Sequence, residues 1–157
     1  MTWIVPAGWD GDVYSGSSGL FTMTVANFRL PSEPDTVGEQ ASRVMKSGAI
    51  RLLLLDYGGS QVANPAFATP ARLPLTIDGA RIHRFFEHMP EGHRLARKVF
   101  HAKGQAFDLQ VEFADAEVGV RAHREANLAL AGLRIRKPRV ADQRRTCRPK
   151  PVQTRSA

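Results

Sequence analysis

The chain has 157 residues, 43% of them hydrophobic and 24% charged, which is the composition of an ordinary globular domain. This length suffices to bury one substantial core, whereas apolar runs such as residues 52–55 are far shorter than the roughly 20 residues of a membrane-spanning helix. Length and composition therefore exclude collagen-like, disordered and helical membrane-spanning classes, and they predict a soluble protein.

The net charge of +7 comes from the C-terminal end of the chain. Eight of the 22 basic residues and one of the 15 acidic residues follow residue 135, so residues 1–135 contain 14 of each. Prolines and crowded arginines over residues 136–157 predict a disordered basic tail, because little apolar surface is present to offset the entropy of ordering. Residues 1–135 are predicted to form a single α+β domain of balanced charge.

Short strands are predicted at residues 2–5 and from residue 13 onward. Residues 20–28 then alternate between apolar side chains and threonines. This period of two is typical of a strand that buries one face and exposes the other to solvent.

A helix and an inner strand are predicted next. Thr36 and Glu39 have the spacing of a capping box, and the apolar stripe beside them predicts a helix over residues 37–47 that stops at Gly48. Residues 50–55 are apolar without alternation, which predicts a strand covered on both faces at the centre of the sheet.

Residues 57–71 contain too many glycines and prolines for a regular element, and they are predicted to form the longest loop. The alternation at residues 73–77 predicts an edge strand, since Pro74 within it cannot donate a ladder hydrogen bond. Residues 81–89 fit either a strand or a short helix.

The clearest local pattern is a hairpin whose second strand alternates strictly over residues 107–113. A two-residue turn at residues 103–104 places Phe100 opposite Phe107, and Arg97 between two acidic residues on the outer face. Aromatic pairing and charge complementarity therefore favour the same register.

The last predicted element is an amphipathic helix over residues 116–133, because apolar residues recur there every three or four positions. Asp115 is predicted as its N-cap, and Gly132 lies near its end. The helix stripe has to pack on the sheet. The predicted fold is thus an antiparallel β-sheet packed by two helices.

The order of these elements, together with the motif Val-Pro-Ala-Gly-Trp at residues 5–9, resembles the PsbP-like fold family. The hairpin and helix over residues 95–135 are also similar to those of small uncharacterised actinobacterial proteins. The resemblance implies a non-enzymatic binding or assembly role for residues 1–135, and it supplies no catalytic residue. Family members are often exported or lipid-anchored, but the opening residues lack a secretory pattern, so a cytoplasmic location is predicted.

Four of the five histidines fall within nineteen residues, and imidazole is the commonest transition-metal ligand. They are His83, His88, His93 and His101. The segment lacks the tight histidine pairs or cysteines of a zinc site, so histidines on a solvated face are the favoured interpretation. Neither a metal ligand nor a cofactor is predicted.

No catalytic residue is predicted from motifs. Residues 16–19, Gly-Ser-Ser-Gly, lack the spacing of a nucleophile elbow, and Gly58-Gly59 lacks the patterns of phosphate-binding loops. Asp56 and Tyr57 end the inner strand beside the long loop, where a site would be convenient. Four N-terminal aromatic residues are interpreted as core or half-core rather than as a ligand groove, namely Trp3, Trp9, Tyr14 and Phe28.

Two partner classes remain open, neither of them a membrane. The sheet or the loop at residues 57–71 contacts a protein partner of unknown identity in the favoured hypothesis. In the alternative, the protein associates with nucleic acid through its tail, where cations neutralise phosphates without sequence specificity. The candidate polyanion-binding residues are Arg144, Arg145, Arg148 and Lys150. An incidental arginine-rich end is the other interpretation of the tail, and Cys147 within it is interpreted as incidental.

Overall fold

The computed structural model describes residues 1–15, 20–32, 39–84 and 89–137. Within these ranges the strands are β1 (Thr2–Trp3), β2 (Asp10–Ser15), β3 (Phe21–Ala26), β4 (Ile50–Gly58), β5 (Arg81–His83), β6 (Arg94–Ala102), β7 (Gln105–Phe113) and β8 (Leu133–Arg134). The helices are α1 (Glu39–Val44) and α2 (Val120–Leu130), with 3-10 turns at Gly59–Gln61 and Pro65–Phe67. The predicted α+β class, a mainly antiparallel sheet with two helices, is confirmed.

Six strands form the main sheet in the order β2-β3-β4-β7-β6-β5, and every neighbouring pair is antiparallel. The strands β1 and β8 form a separate antiparallel pair. Because β4 lies between β3 and β7, the prediction of an inner strand at residues 50–55 is confirmed.

One face of the sheet, here called the α2 face, is apolar. On the two central strands Leu52 and Leu54 of β4 lie beside Val111 and Leu109 of β7, all at most 1% exposed. They form one core cluster with buried side chains of α2, which are Ala126, Ala129 and Leu130. Trp3 extends this cluster, and its indole Nε1 donates a 2.8 Å hydrogen bond to the Ala129 carbonyl, which ties β1 to α2.

The opposite face, here called the α1 face, is buried but polar. Its side chains with at most 9% exposure include Thr22, Thr24, Arg51, Asp108 and Glu112. The prediction of a solvated face on β3 and on β7 was therefore wrong. Alternation identified the two faces correctly, but on this face Glu112 pairs with Arg51 and Asp108 with Arg97. The helix α1 contributes its buried residues Ala41 and Ser42 here. Buried polar groups are stable when they are hydrogen-bonded.

The hairpin prediction is confirmed in turn and register. Phe100 pairs with Phe107 at a ring-centroid distance of 5.4 Å, and Arg97 pairs with Gln110. Lys103 and Gly104 have φ values of 52° and 81°. Two positive φ values in sequence define a tight turn whose twist matches that of the flanking strands.

Both helices are shorter than predicted. The helix α2 begins at Val120 with Gly119 as its N-cap, because the Asp115 carboxylate accepts the Gly48 N–H at 2.9 Å instead of capping a helix. The helix α1 ends at Val44 rather than at residue 47. The proposed capping-box residue Thr36 lies outside the described residues.

Residues 73–77 do not form the predicted edge strand. The Ile77 N–H donates to Asn127 Oδ1 of α2 at 2.8 Å, and the Thr76 carbonyl accepts a 2.8 Å bond from Lys98 Nζ. Leu75 and Ile77 are buried in the core cluster. The alternation therefore reflected packing beneath α2, while the edge position beside β6 belongs to β5.

Candidate functional site

Glu112 is the centre of a buried polar cluster on the α1 face, where it is 1% exposed. Its Oε2 accepts bonds from Arg51 Nε at 3.1 Å and Nη2 at 2.6 Å, and its Oε1 accepts the Ser42 hydroxyl. The same Oε1 lies 2.7 Å from His93 Nδ1. The cluster therefore connects α1, β4, β7 and the segment before β6.

The order of groups in this cluster differs from that of a nucleophilic triad. Activation of a hydroxyl requires an imidazole between it and the carboxylate, so that the ring can take the proton. Here the carboxylate of Glu112 lies between Ser42 and His93. The arrangement fixes α1 to the sheet rather than activating Ser42.

A second buried acid, Asp108, is saturated by neighbours on β6 and β7. Arg97 donates from Nε to both carboxylate oxygens at 3.0 and 3.1 Å, and from Nη2 to Oδ2 at 2.7 Å. Gln110 Nε2 adds a 3.1 Å bond to Oδ2. The hydrogen bonds from Arg97 to Asp108 raise the pKa of the Arg97 guanidinium above its ordinary value. A two-pronged pair of this kind fixes both side chains.

Two titratable side chains lie in the field of this pair. Burial raises the pKa of the Tyr57 hydroxyl, and the negative charge of Asp108 adds to that effect. Burial also lowers the pKa of His83, with further lowering by the charges of Arg81 and Arg97. Both shifts favour the neutral form at neutral pH, so these two groups add no charge to this corner of the sheet.

Asp56 and Tyr57, which the sequence places at a convenient site, are engaged separately. The Asp56 carboxylate accepts the Gly58 N–H and the Gln105 side-chain amide, both at 2.9 Å. The ring centroids of Tyr57 and Phe67 are 5.2 Å apart. Both residues take part in closing the end of β4.

The clustered histidines occupy different structural positions. His93 contacts Glu112, His83 lies on β5, and His101 Nδ1 is 2.7 Å from the Phe67 carbonyl oxygen. His88 lies outside the described residues. In the part of the chain that the structure describes, no group of three histidine, cysteine or acidic side chains could hold a metal ion.

The loop at residues 57–71 lies along β6. The loop residues on both sides of Pro70 are bonded to His101, whose N–H donates to the Thr69 carbonyl and whose carbonyl accepts the Ala71 N–H, each at 2.9 Å. Pro70 forms a parallel bridge with the same residue. The loop therefore continues the cover that β5 provides for the edge of β6.

The other edge strand, β2, carries its own protection. The Asp10 carboxylate accepts the Gly11 N–H at 2.9 Å, and the Asp12 carboxylate accepts the Val13 N–H at 2.7 Å. Backbone donors occupied in this way, and the negative charges themselves, disfavour the addition of a further strand. Pairing of an extended partner with this edge is therefore disfavoured.

A surface groove of about 460 Å³, here called the α1 groove, opens between the end of β3 and the turn before β4. It is lined by Asn27, Phe28, Arg29, Val44 and residues 46–49. Phe28, which the sequence predicts to be core or half-core, is half-buried in its wall. The other N-terminal aromatics are buried (Trp3) or half-buried (Trp9, Tyr14).

The wall of the α1 groove is fixed by side chain to backbone hydrogen bonds. Asn27 Oδ1 accepts the Ile50 N–H at 2.8 Å, and its Nδ2 donates to the Gly48 carbonyl at 3.0 Å. Asp115 holds Gly48 from the other side. Gly48 has a φ of +79°, which side chains with a Cβ rarely adopt, so this turn suits glycine. The groove is therefore preformed.

Sequence reasoning missed the α1 groove. Its lining comes from two separate segments, residues 27–29 and 44–49, and no motif connects them. The local signal is a pair of basic residues, Arg29 before the predicted helix at residues 37–47 and Lys46 in its last turn. The candidate polyanion-binding residues lie outside the described residues, namely Arg144, Arg145, Arg148 and Lys150. Ser17 and Ser18 lie outside them as well.

Comparison with known proteins yields no family. No protein-family model matches the chain, and neither the curated proteins nor the solved structures contain a significant match. None of the described helices is long and apolar enough to cross a membrane. Function therefore has to be argued from the geometry of the α1 face and the α1 groove.

Proposed function

We propose that the protein is a non-enzymatic binding or assembly module that contacts a protein partner through the α1 groove. The observation that carries the proposal is the groove itself, a concavity whose wall is held by hydrogen bonds from Asn27 and Asp115. A preformed surface lowers the entropy cost of association, since few groups have to be ordered on binding.

The chemistry elsewhere on the α1 face supports this proposal. The buried acid Asp108 is already bonded to Arg97, and Glu112 is bonded to Arg51. These bonds favour a structural role for both acids. The cover over β6 and the capped donors of β2 disfavour binding by strand addition. The groove between elements is a binding mode that the described surface supports.

Site-specific photo-cross-linking tests the proposal. A photoreactive amino acid replaces Ser47, which is exposed in the α1 groove, or Arg124, which is exposed on α2 and serves as the matched control. We expect cross-linking of a defined protein from the native lysate at position 47 and not at position 124. Equal labelling at the two positions, or none at position 47, would contradict contact through the groove.

The alternative function is association with nucleic acid through the basic tail. It is favoured by one observation, the concentration of eight of the 22 basic residues after residue 135. Counterion release makes such binding strongly dependent on salt. A chain truncated after Ile135 should then lose retention of DNA and RNA at low salt, and unchanged retention rejects this alternative.

Membership of the PsbP-like family is likewise a proposal. An antiparallel sheet with α1 on one face and α2 on the other supports it. A fold hosts many functions, so this kinship would not by itself identify the partner. A cytoplasmic location also stays a prediction, which fractionation of native cells tests.

A further inference from the structure

Two exposed cations flank the α1 groove. Arg29 lies in the segment that follows β3, and Lys46 lies in the turn that precedes β4. Across residues 1–15, 20–32, 39–84 and 89–137, neither side chain takes part in an ion pair or a side-chain hydrogen bond. Their charges are therefore available to a bound molecule.

Two backbone donors and two described acids beside the groove are already engaged. The Gly48 N–H is bonded to Asp115, and the Ala49 N–H to the Lys46 carbonyl at 2.8 Å. Asp10 accepts the Leu30 N–H at 2.9 Å. Attraction of negative charge thus comes from the two long cationic side chains rather than from a nest of backbone amides.

The groove also offers apolar contact between its cations. Val44, at the end of α1, is 52% exposed, which is high for a large aliphatic side chain in a concave surface. Phe28 contributes a half-buried ring. Single-stranded nucleic acid needs exposed rings for stacking and a track of cations. One recessed ring and two cations suit a short peptide segment better.

We propose that the α1 groove binds a short acidic segment of a protein partner, with carboxylates near Arg29 and Lys46 and an apolar side chain against Val44. This inference rests on the proposed function and specifies the chemistry of the partner. Exposed ion pairs contribute little individually, so binding by such a segment alone is weak and depends on salt.

The probe for the test is a capped synthetic heptapeptide that alternates glutamate with leucine. Its matched control carries glutamine in place of every glutamate, and a single-stranded oligonucleotide forms a third arm. Each is titrated into the isotope-labelled full chain, and the amide signals are followed by NMR. Residue-specific signals separate binding at Gly48 and Ala49 from association of the acidic peptide with the basic tail.

We expect the glutamate peptide to shift the amide signals of Ala49 and its neighbours in the groove, and the glutamine peptide to bind at least about tenfold more weakly. Charge reversal by Arg29→Glu or Lys46→Glu should weaken binding by about the same factor. Arg124→Glu on α2 is the matched control and should leave affinity at the groove unchanged. Raising salt from 0.1 to 1 M shortens the screening length from about 10 to about 3 Å and should remove most of the shift.

Three results would overturn the inference. Equal binding of the glutamine and glutamate peptides at the groove would reject the acidic segment but leave the groove as a contact surface. Groove shifts produced by the oligonucleotide alone, or by none of the probes, would reject it as well. Failure of the proposed function is distinguished by a different experiment, because it appears as cross-linking at position 124 equal to that at position 47.

Discussion

On the α2 face Leu54 of β4 lies beside Leu109 of β7, whereas one residue further along β4 on the α1 face Leu55 lies beside Asp108. All four side chains are at most 5% exposed. Apolar burial is non-directional, so neighbours can adjust when one side chain changes. Polar burial requires each donor to find its acceptor, and removal of one group leaves its partner unsatisfied.

The polar face also determines where the proposed contact surface lies. Ser42 connects α1 to Glu112, and Val44 two residues later lines the α1 groove. Side chains of the α2 face stabilise the fold but do not position the α1 groove. The comparison between the two faces therefore predicts which substitutions lower stability alone and which also alter the groove.

The largest expected effect is that of Glu112→Gln, because it leaves the charge of Arg51, 5% exposed, without its carboxylate. Removing one partner of a buried ion pair costs about 3–5 kcal/mol. Urea unfolding of the full chain measures this loss. The matched control is Glu117→Gln at an exposed position, where the change should stay within about 0.5 kcal/mol. Equal midpoints for the two variants would contradict the role of Glu112.

On the α2 face, Leu54→Ala should lower the free energy of unfolding by about 2–5 kcal/mol through lost burial and a residual cavity. Leu54 is fully buried, whereas Leu128, its control on α2, is 61% exposed and should tolerate alanine. Amide signals of the α1 groove should not change in Leu54→Ala. Perturbation of the groove by this variant would contradict the expectation that the α2 face affects stability alone.

Ser42→Ala should cost less, about 1.5–3 kcal/mol, because one hydrogen bond to a buried carboxylate is lost while Arg51 stays paired. Unlike Leu54→Ala, this variant should shift the amide signals of Val44 and Lys46, since α1 loses its polar anchor. Ser60→Ala, at an exposed serine, is the control for the substitution. Unchanged signals at Val44 would show that α1 is positioned by packing alone.

The sequence predicted the hairpin and the central strand because both depend on local patterns. Strict alternation and a two-residue turn allow one register, and it places Phe100 opposite Phe107. The run at residues 50–55 identified β4 because an uninterrupted apolar strand has to be covered on both sides. These features need no knowledge of distant contacts.

The errors and the missed groove arise where distant residues decide. Asp115 has the residue type of an N-cap, but its acceptor serves Gly48 far earlier in the chain. The alternation at residues 73–77 reflects packing against α2, where the Ile77 N–H donates to Asn127 Oδ1, rather than pairing with a neighbouring strand. Burial of Glu112 depends on Arg51, and nothing local to either residue indicates their pairing. The α1 groove requires the same long-range knowledge.

Substitution of Asp56 has the smallest expected effect on stability. It compares a half-buried acid that lacks an arginine partner among the described residues with the two buried acids that have one. Unlike Asp108 and Glu112, it accepts its hydrogen bonds from uncharged donors, those of Gly58 and Gln105. Burial raises the pKa of the Asp56 carboxyl above its ordinary value of 3.8, against the lowering effect of these bonds.

A raised pKa means that the folded state holds this proton more tightly than the unfolded chain does. The stabilising contribution of Asp56 is therefore complete below pH 3.8 and is lost as the pH rises through the folded-state value. Asp56→Asn lacks this titration. The unfolding free energy of the natural protein minus that of Asp56→Asn should fall from pH 3 toward neutrality and then level off, because contributions from other groups cancel in the difference. Urea unfolding across this pH range measures the trend, and a difference that rises with pH would show that hydrogen bonding to the carboxylate outweighs its burial.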